Sequence, residues 1–138
     1  MNSNLNLSTG LVATGFPLAL RGFDVTTYTA GAGPRPGRAQ FAVVEAGATY
    51  YFASESNAAA FKADPALYLP SFGGFCAYGV SVGKKFDGDP LIFRIVDGRL
   101  HLNLNGEIHQ AFLADLPGAI TKADRAWPTI SGKAVAEL

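Results

Sequence analysis

The chain has 138 residues, and its 11 basic and 11 acidic side chains cancel with no basic stripe or arginine-rich block, which excludes a nucleic-acid binder that works through charge. Its 49% apolar content is that of a globular chain long enough to close a core, yet no apolar run approaches the ~20 residues that span a bilayer. The single cysteine, Cys76, excludes a disulfide framework and a multi-thiolate zinc site built by one chain.

Residues 1–8 carry neither the basic region nor the apolar run of a secretory signal. The expected location is cytoplasmic, or periplasmic if a signal has been removed. Residues 1–19 read as an N-terminal arm, residues 20–128 as a single domain, and residues 129–138 as a tail without periodicity. Residues 22–28 read as a short extended segment, and residues 30–38, with three glycines and two prolines, as a loop. Two strands follow at 40–45 and 49–53, joined around Gly47 as a hairpin.

Ser54 is placed to cap a helix whose first turn holds Glu55, whose inner face holds Ala58 and Phe61, and which ends at Asp64-Pro65. Gly73 and Gly74 allow a sharp turn, and residues 75–82 fit either a short helix or a buried extended piece. Asp97-Gly98 between two alternating runs is the strongest hairpin signal. A two-residue turn there pairs Val96 with Arg99, Ile95 with Leu100, Arg94 with His101 and Phe93 with Leu102. One face is then Leu91, Phe93, Ile95, Leu100, Leu102 and Leu104, and the other carries Ile92, Arg94, Val96, Arg99, His101 and Asn103. Asn105 caps a helix with Ile108, Ala111, Phe112 and Leu116 on one face, and Pro117 opens another with Ile120, Ala123 and Trp127. The pattern predicts an α+β fold, with two hairpins in a small antiparallel sheet and short helices packed on it.

Three runs resemble the YHS-domain family, small modules related to the treble-clef-like, metal-binding TRASH domains. They are Gly22-Phe23-Asp24-Val25 with Tyr28, Ala48-Thr49-Tyr50-Tyr51-Phe52-Ala53-Ser54, and Phe61-Lys62-Ala63-Asp64-Pro65 with Tyr68. A further match to a stand-alone bacterial subgroup runs through the segment from Gly73 to Val80, Gly88-Asp89-Pro90, the Asp97-Gly98 turn, Leu102-Asn103-Leu104-Asn105 and Trp127-Pro128. The resemblance implies a YHS/TRASH-like core with a C-terminal helical extension, and a role in heavy-metal binding. Metal-binding members, however, place thiolates where Ala53 and Asn57 stand, and a cysteine pair in the region of residues 23–28. At these positions the implied metal role does not carry over.

Cys76 is the first candidate site residue. In the first turn of a helix its thiol pKa would fall, making it a soft ligand for a transition-metal ion such as copper, or a redox thiol. The alternative is a small buried residue among Phe72, Phe75 and Tyr78, the usual fate of a free cysteine. His101 is the imidazole that could join Cys76 on a metal, although the strand pattern gives it a surface role beside Arg94. His109, on the shoulder of its helix, has no second ligand one turn on.

Asp24, with Thr26, Thr27 and Tyr28, either locks the adjacent loop or lines a pocket. Tyr28, Tyr78 and Trp127 are the aromatic residues expected at a small-ligand pocket. Asp87-Gly88-Asp89-Pro90 reads as a turn, because the later oxygen ligands of a calcium loop are absent.

The leading expectation is a non-enzymatic binding module that holds a metal ion or small molecule near Cys76. An enzyme using that thiol, and a structural or partner-binding domain such as a homodimer, are the alternatives.

Overall fold

Two tight turns with paired positive φ angles organise the chain. Ala46 and Gly47 lie at φ 50° and 82°, and Asp97 and Gly98 at 51° and 76°. Both positive signs are the signature of the type I′ turn, whose twist suits a two-residue hairpin. The computed structural model describes residues 3–29 and 33–138, and within it each hairpin belongs to a separate compact unit. Residues 30–32, the start of the expected loop, lie outside the described residues.

The first unit covers residues 7–69. Strand β1 (Phe23–Asp24) pairs antiparallel with β2 (Arg35–Pro36), so the end of the expected loop is extended and paired. A short edge strand tolerates the missing N–H of Pro36. Strand β3 (Arg38–Glu45) pairs with β4 (Ala48–Phe52), with a register shift between Arg38 and Ala42. Ser54 then caps α1 (Glu55–Ala63), its hydroxyl accepting from the Asn57 N–H at 3.1 Å as its position in the sequence predicts. Helix α1 brings Phe61, fully buried, to 5.1 Å from the Tyr50 ring and 5.0 Å from the Phe52 ring. Burial, and then the Glu45 carboxylate, push the Tyr50 phenol up to about 12. Asp64-Pro65 ends α1, and Pro65 starts the single turn α2 (Pro65–Tyr68).

The second unit joins residues 3–6 to residues 70–138. A 3-10 turn over Ser71–Gly74 holds Phe72 at φ 57° and Gly73 at 61°. Gly73 is obligatory there, since a Cβ would strike the Asn4 carbonyl. Helix α3 (Ala77–Ser81) follows, then β5 (Asp89–Val96), β6 (Arg99–Asn103), α4 (Gly106–Ala114) and α5 (Leu116–Ile130). Residues 75–82 thus combine both expectations. Cys76 makes a parallel bridge to Leu102, and the helix begins one residue later.

The four predicted pairs around Asp97-Gly98 form, but a bulge between Asp89 and Phe93 breaks the alternation beyond them and leaves Leu91 60% exposed. The polar-face expectation for β6 also fails. Leu100, His101, Leu102 and Asn103 are all buried, because the turn before α3 and helices α3 and α4 cover the strand.

Asn105 caps α4 with a 2.8 Å bond from the Ile108 N–H. Leu116, expected in that helix, instead opens α5, whose cap Asp115 accepts from Gly118. Helix α5 runs on through Pro128 to a buried Ile130, so the expected tail begins inside the helix. Its end is fixed by Lys85, whose ammonium donates to the carbonyls of Ser3 at 2.6 Å, Ser131 at 2.9 Å and Lys133.

The fold is α+β, with three separate two-stranded ladders among the described residues rather than one sheet carrying both hairpins. Each hairpin is packed against helices of its own unit, and beyond its own ladder each has a single-residue parallel bridge, Leu18 to Thr49 on β4 and Cys76 to Leu102 on β6. No helix among the described residues is long and apolar enough to cross a membrane.

Gly88→Ala tests the close approach behind β6. Its Cβ would overlap the Gly74 carbonyl and sit 3.0 Å from Leu102 Cβ, so a loss of about 1–3 kcal/mol is expected by denaturant unfolding. Gly106→Ala, at the first position of α4 with open space around it, should be neutral or slightly stabilising.

Candidate functional site

The Cys76 run folds into the second unit against β6, and Asn103 is the residue that receives it. Asn103 Oδ1 accepts from the Cys76 thiol at 3.4 Å and from the Tyr78 N–H at 3.1 Å. Its Nδ2 faces His109 Nδ1 at 2.8 Å, and since an amide NH₂ only donates, that ring nitrogen is the acceptor. Cys76 is fully buried and also caps α3, its sulfur accepting from the Gly79 N–H at 3.4 Å. Burial raises the thiol pKa, and the backbone donors of Gly79, Leu104 and Tyr78 offset only part of that rise. The predicted lowering at a helix start is therefore overturned. The helix has five residues, and desolvation outweighs its N–H groups. At neutral pH Cys76 is a protonated thiol with both its bonding directions used.

Tyr78 contributes its backbone to Asn103, while its ring packs against the core of the second unit. Trp127 also belongs to that core. It meets Phe72 edge-on at 5.8 Å and Phe75 at 6.3 Å, and the Lys85 ammonium lies 5.6 Å from its ring centre.

Asp24 and Tyr28 fall in the first unit, both buried. Asp24 Oδ1 accepts from the Thr26 N–H at 2.8 Å and the Thr26 hydroxyl at 2.7 Å. Its Oδ2 accepts from the Ala53 N–H at 2.8 Å and Asn57 Nδ2 at 2.9 Å. Four donors saturate the carboxylate, and its role is to lock β1 to the start of α1. Ala53 and Asn57 thus meet Asp24 in a hydrogen-bonded network.

His101 is the residue whose placement differs most from the sequence expectation. It is 1% exposed, held between the Phe72 ring at 5.9 Å and the Phe112 ring at 6.0 Å. Nδ1 lies 3.1 Å from the Arg99 carbonyl, which can only accept, so the neutral ring carries its proton on Nδ1 and a lone pair on Nε2. Nε2 is buried with no hydrogen-bond partner among the described residues. Burial and then the Arg99 charge lower the His101 pKa, while the carbonyls of Arg99 and Arg94 and the Asp124 carboxylate pull weakly upward.

His101 is also part of the wall of a cleft of about 290 Å³ between the Asp97-Gly98 hairpin and the start of α5. Val96, Leu116, Pro117 and Ile120 give that cleft apolar walls, with Asp97, Arg99 and Thr121 as its other polar residues. Arg99 is tied at the rim by a two-pronged pair with Asp124, at 3.1 and 3.3 Å. Its guanidinium also lies 5.8 Å from the Phe72 ring centre.

Of the residues singled out in the sequence, Cys76, Tyr78, His101 and Trp127 share the second unit, but neither Cys76, Tyr78 nor Trp127 lines this cleft. Asn103, which receives the Cys76 run, and the cleft-lining Arg99 were read as members of a polar strand face and of the matching runs, not as site residues. Three polar side chains at alternate positions, Arg99, His101 and Asn103, with Leu100 and Leu102 between them were the available signal. No group of three His, Cys, Asp or Glu side chains that could hold a metal ion occurs among the described residues. No family model, curated protein or solved structure matches the chain.

Two outcomes follow from these environments. Cys76 in the native protein should resist alkylation by iodoacetamide at pH 8 and react at the rate of a free thiol only after unfolding, as followed by mass spectrometry. His101 and His109 both have pKa values lowered by folding, so below about 6.5 the unfolded chain binds more protons than the native one. Stability is then full above pH 6.5 and falls as pH drops through the folded values. His101→Phe should flatten that decline between pH 6.5 and 5, and an unchanged slope would show that the imidazole is not held neutral.

Proposed function

We propose that the chain is a non-enzymatic binding module, a stand-alone domain of YHS-like sequence, whose ligand is a small organic molecule seated in the cleft beside His101. The observation that carries this reading is a buried imidazole, its Nε2 unpartnered among the described residues, in the wall of a cleft that sets Val96, Leu116, Pro117 and Ile120 beside a few polar groups. Small-ligand sites typically combine apolar walls with a few fixed polar groups. An unpaired buried acceptor costs about 1–3 kcal/mol, which a ligand donor restores.

The thiol supports the same reading by its environment. A protonated Cys76 bonded to Asn103 and Gly79 is a poor nucleophile and a poor copper ligand. Arg99 beside His101 likewise disfavours a cation there.

The test titrates the purified protein with Cu(I) and, separately, with a set of one- and two-ring fragments, read by NMR shift changes. Fragment shifts centred on Val96, Ile120 and Thr121 are expected, and Ile120→Trp should abolish them by filling the cleft. One equivalent of tightly bound Cu(I), lost in Cys76→Ser, would replace this reading with a metal-binding one. Absence of any fragment binding would remove it.

A further inference from the structure

We infer that the cleft selects a neutral ring compound, of about two fused rings, that carries an O–H or N–H donor for His101 Nε2. This rests on the cleft being a binding site, and it adds which chemistry the site accepts.

The donor requirement comes from the ring itself. Nδ1 is committed to the Arg99 carbonyl, so Nε2 offers a lone pair and nothing to donate. A ligand oxygen or nitrogen without a proton would meet that lone pair with repulsion and leave both groups unsatisfied. Sites built to hydrogen-bond one substrate group reject analogues that lack it far more strongly than apolar walls reject a change in size. Nε2 has no partner among the described residues and its ring is part of the cleft wall, so its donor would come from a molecule seated against that wall.

The neutral ring body comes from the walls. Val96, Leu116, Pro117 and Ile120 present hydrocarbon, and the volume of about 290 Å³ is nearly twice the ~150 Å³ of an apolar cavity that accepts benzene. The charges at the mouth largely cancel one another, with Arg99 the one that stands nearest the ring. Arg99 is paired with Asp124, and Asp97 stands on the same turn. A metal ion would use the same lone pair but would find Arg99 beside it.

The probes are 2-naphthol and 2-methoxynaphthalene, which share a ring system and differ in the donor hydrogen. Calorimetric titration at pH 7.5 should show 2-naphthol binding about tenfold or more tightly than its methyl ether. In His101→Phe the two should bind within about twofold of each other, through loss of the naphthol advantage. The wild-type protein gives a second readout that does not depend on the variant folding. The ¹⁵N resonance of His101 Nε2 should move upfield on adding 2-naphthol, as a lone pair does when it accepts a proton donor, and stay in place with the ether.

Equal affinities with a stationary Nε2 resonance would overturn the donor inference while leaving the cleft as a binding site. If neither compound binds and the fragment set is also silent, the binding reading falls with it.

Discussion

Burial of both faces of one short strand governs the second unit. In β6 the residues Leu100, His101, Leu102 and Asn103 all lie at or below 4% exposure, so its two polar side chains have to find partners inside the protein. Asn103 does so fully enough to organise its neighbours. One amide receives the thiol of Cys76 and the N–H of Tyr78, fixing the entry of α3, and reaches His109 on α4. His101, two residues earlier on the same face, is held at Nδ1 and leaves Nε2 without a partner among the described residues. The strand that holds the unit together therefore also contains its one buried, unsatisfied side-chain atom among the described residues.

The first unit meets a comparable problem with a different solution. Asp24 is a fully buried carboxylate, and a buried charge is tolerable only when its oxygens are occupied. Thr26 supplies two donors from β1's own turn, while Ala53 and Asn57 supply two from the start of α1. One carboxylate and four N–H or O–H donors thus link the two segments.

What was legible in the sequence follows from the range of the forces involved. The Asp97-Gly98 turn, the Ser54 and Asn105 caps and the inward Phe61 are set by residues within a few positions of one another, and they appear where expected. The burial of His101 was not legible, because strand alternation assigns a residue to a face without saying what covers that face. The turn before α3 and helices α3 and α4 cover it, and they come from segments on either side of the hairpin. The bulge before Phe93 exposes Leu91 for the same kind of reason, since it is a matter of pairing along the whole ladder. The end of α5 was misread as a tail because its anchor, the ammonium of Lys85, lies some 45 residues away, at separations of 46 and 48 residues from the carbonyls it holds.

Three buried titratable side chains in the second unit can then be compared on equal terms. Lys85 directs its three N–H donors at three carbonyls, with the rings of Phe75 and Trp127 at 5.2 and 5.6 Å. Cys76 has an acceptor for its hydrogen and a donor for its sulfur. Each of these two is complete, and completeness is what folding alone selects. His101 is incomplete at one atom, and it is the one of the three that lines a cleft. Departures from polar satisfaction concentrate where a protein does something besides fold. The chemistry of this chain is therefore sought at a neutral imidazole in the second hairpin, and its lone cysteine is assigned to the core.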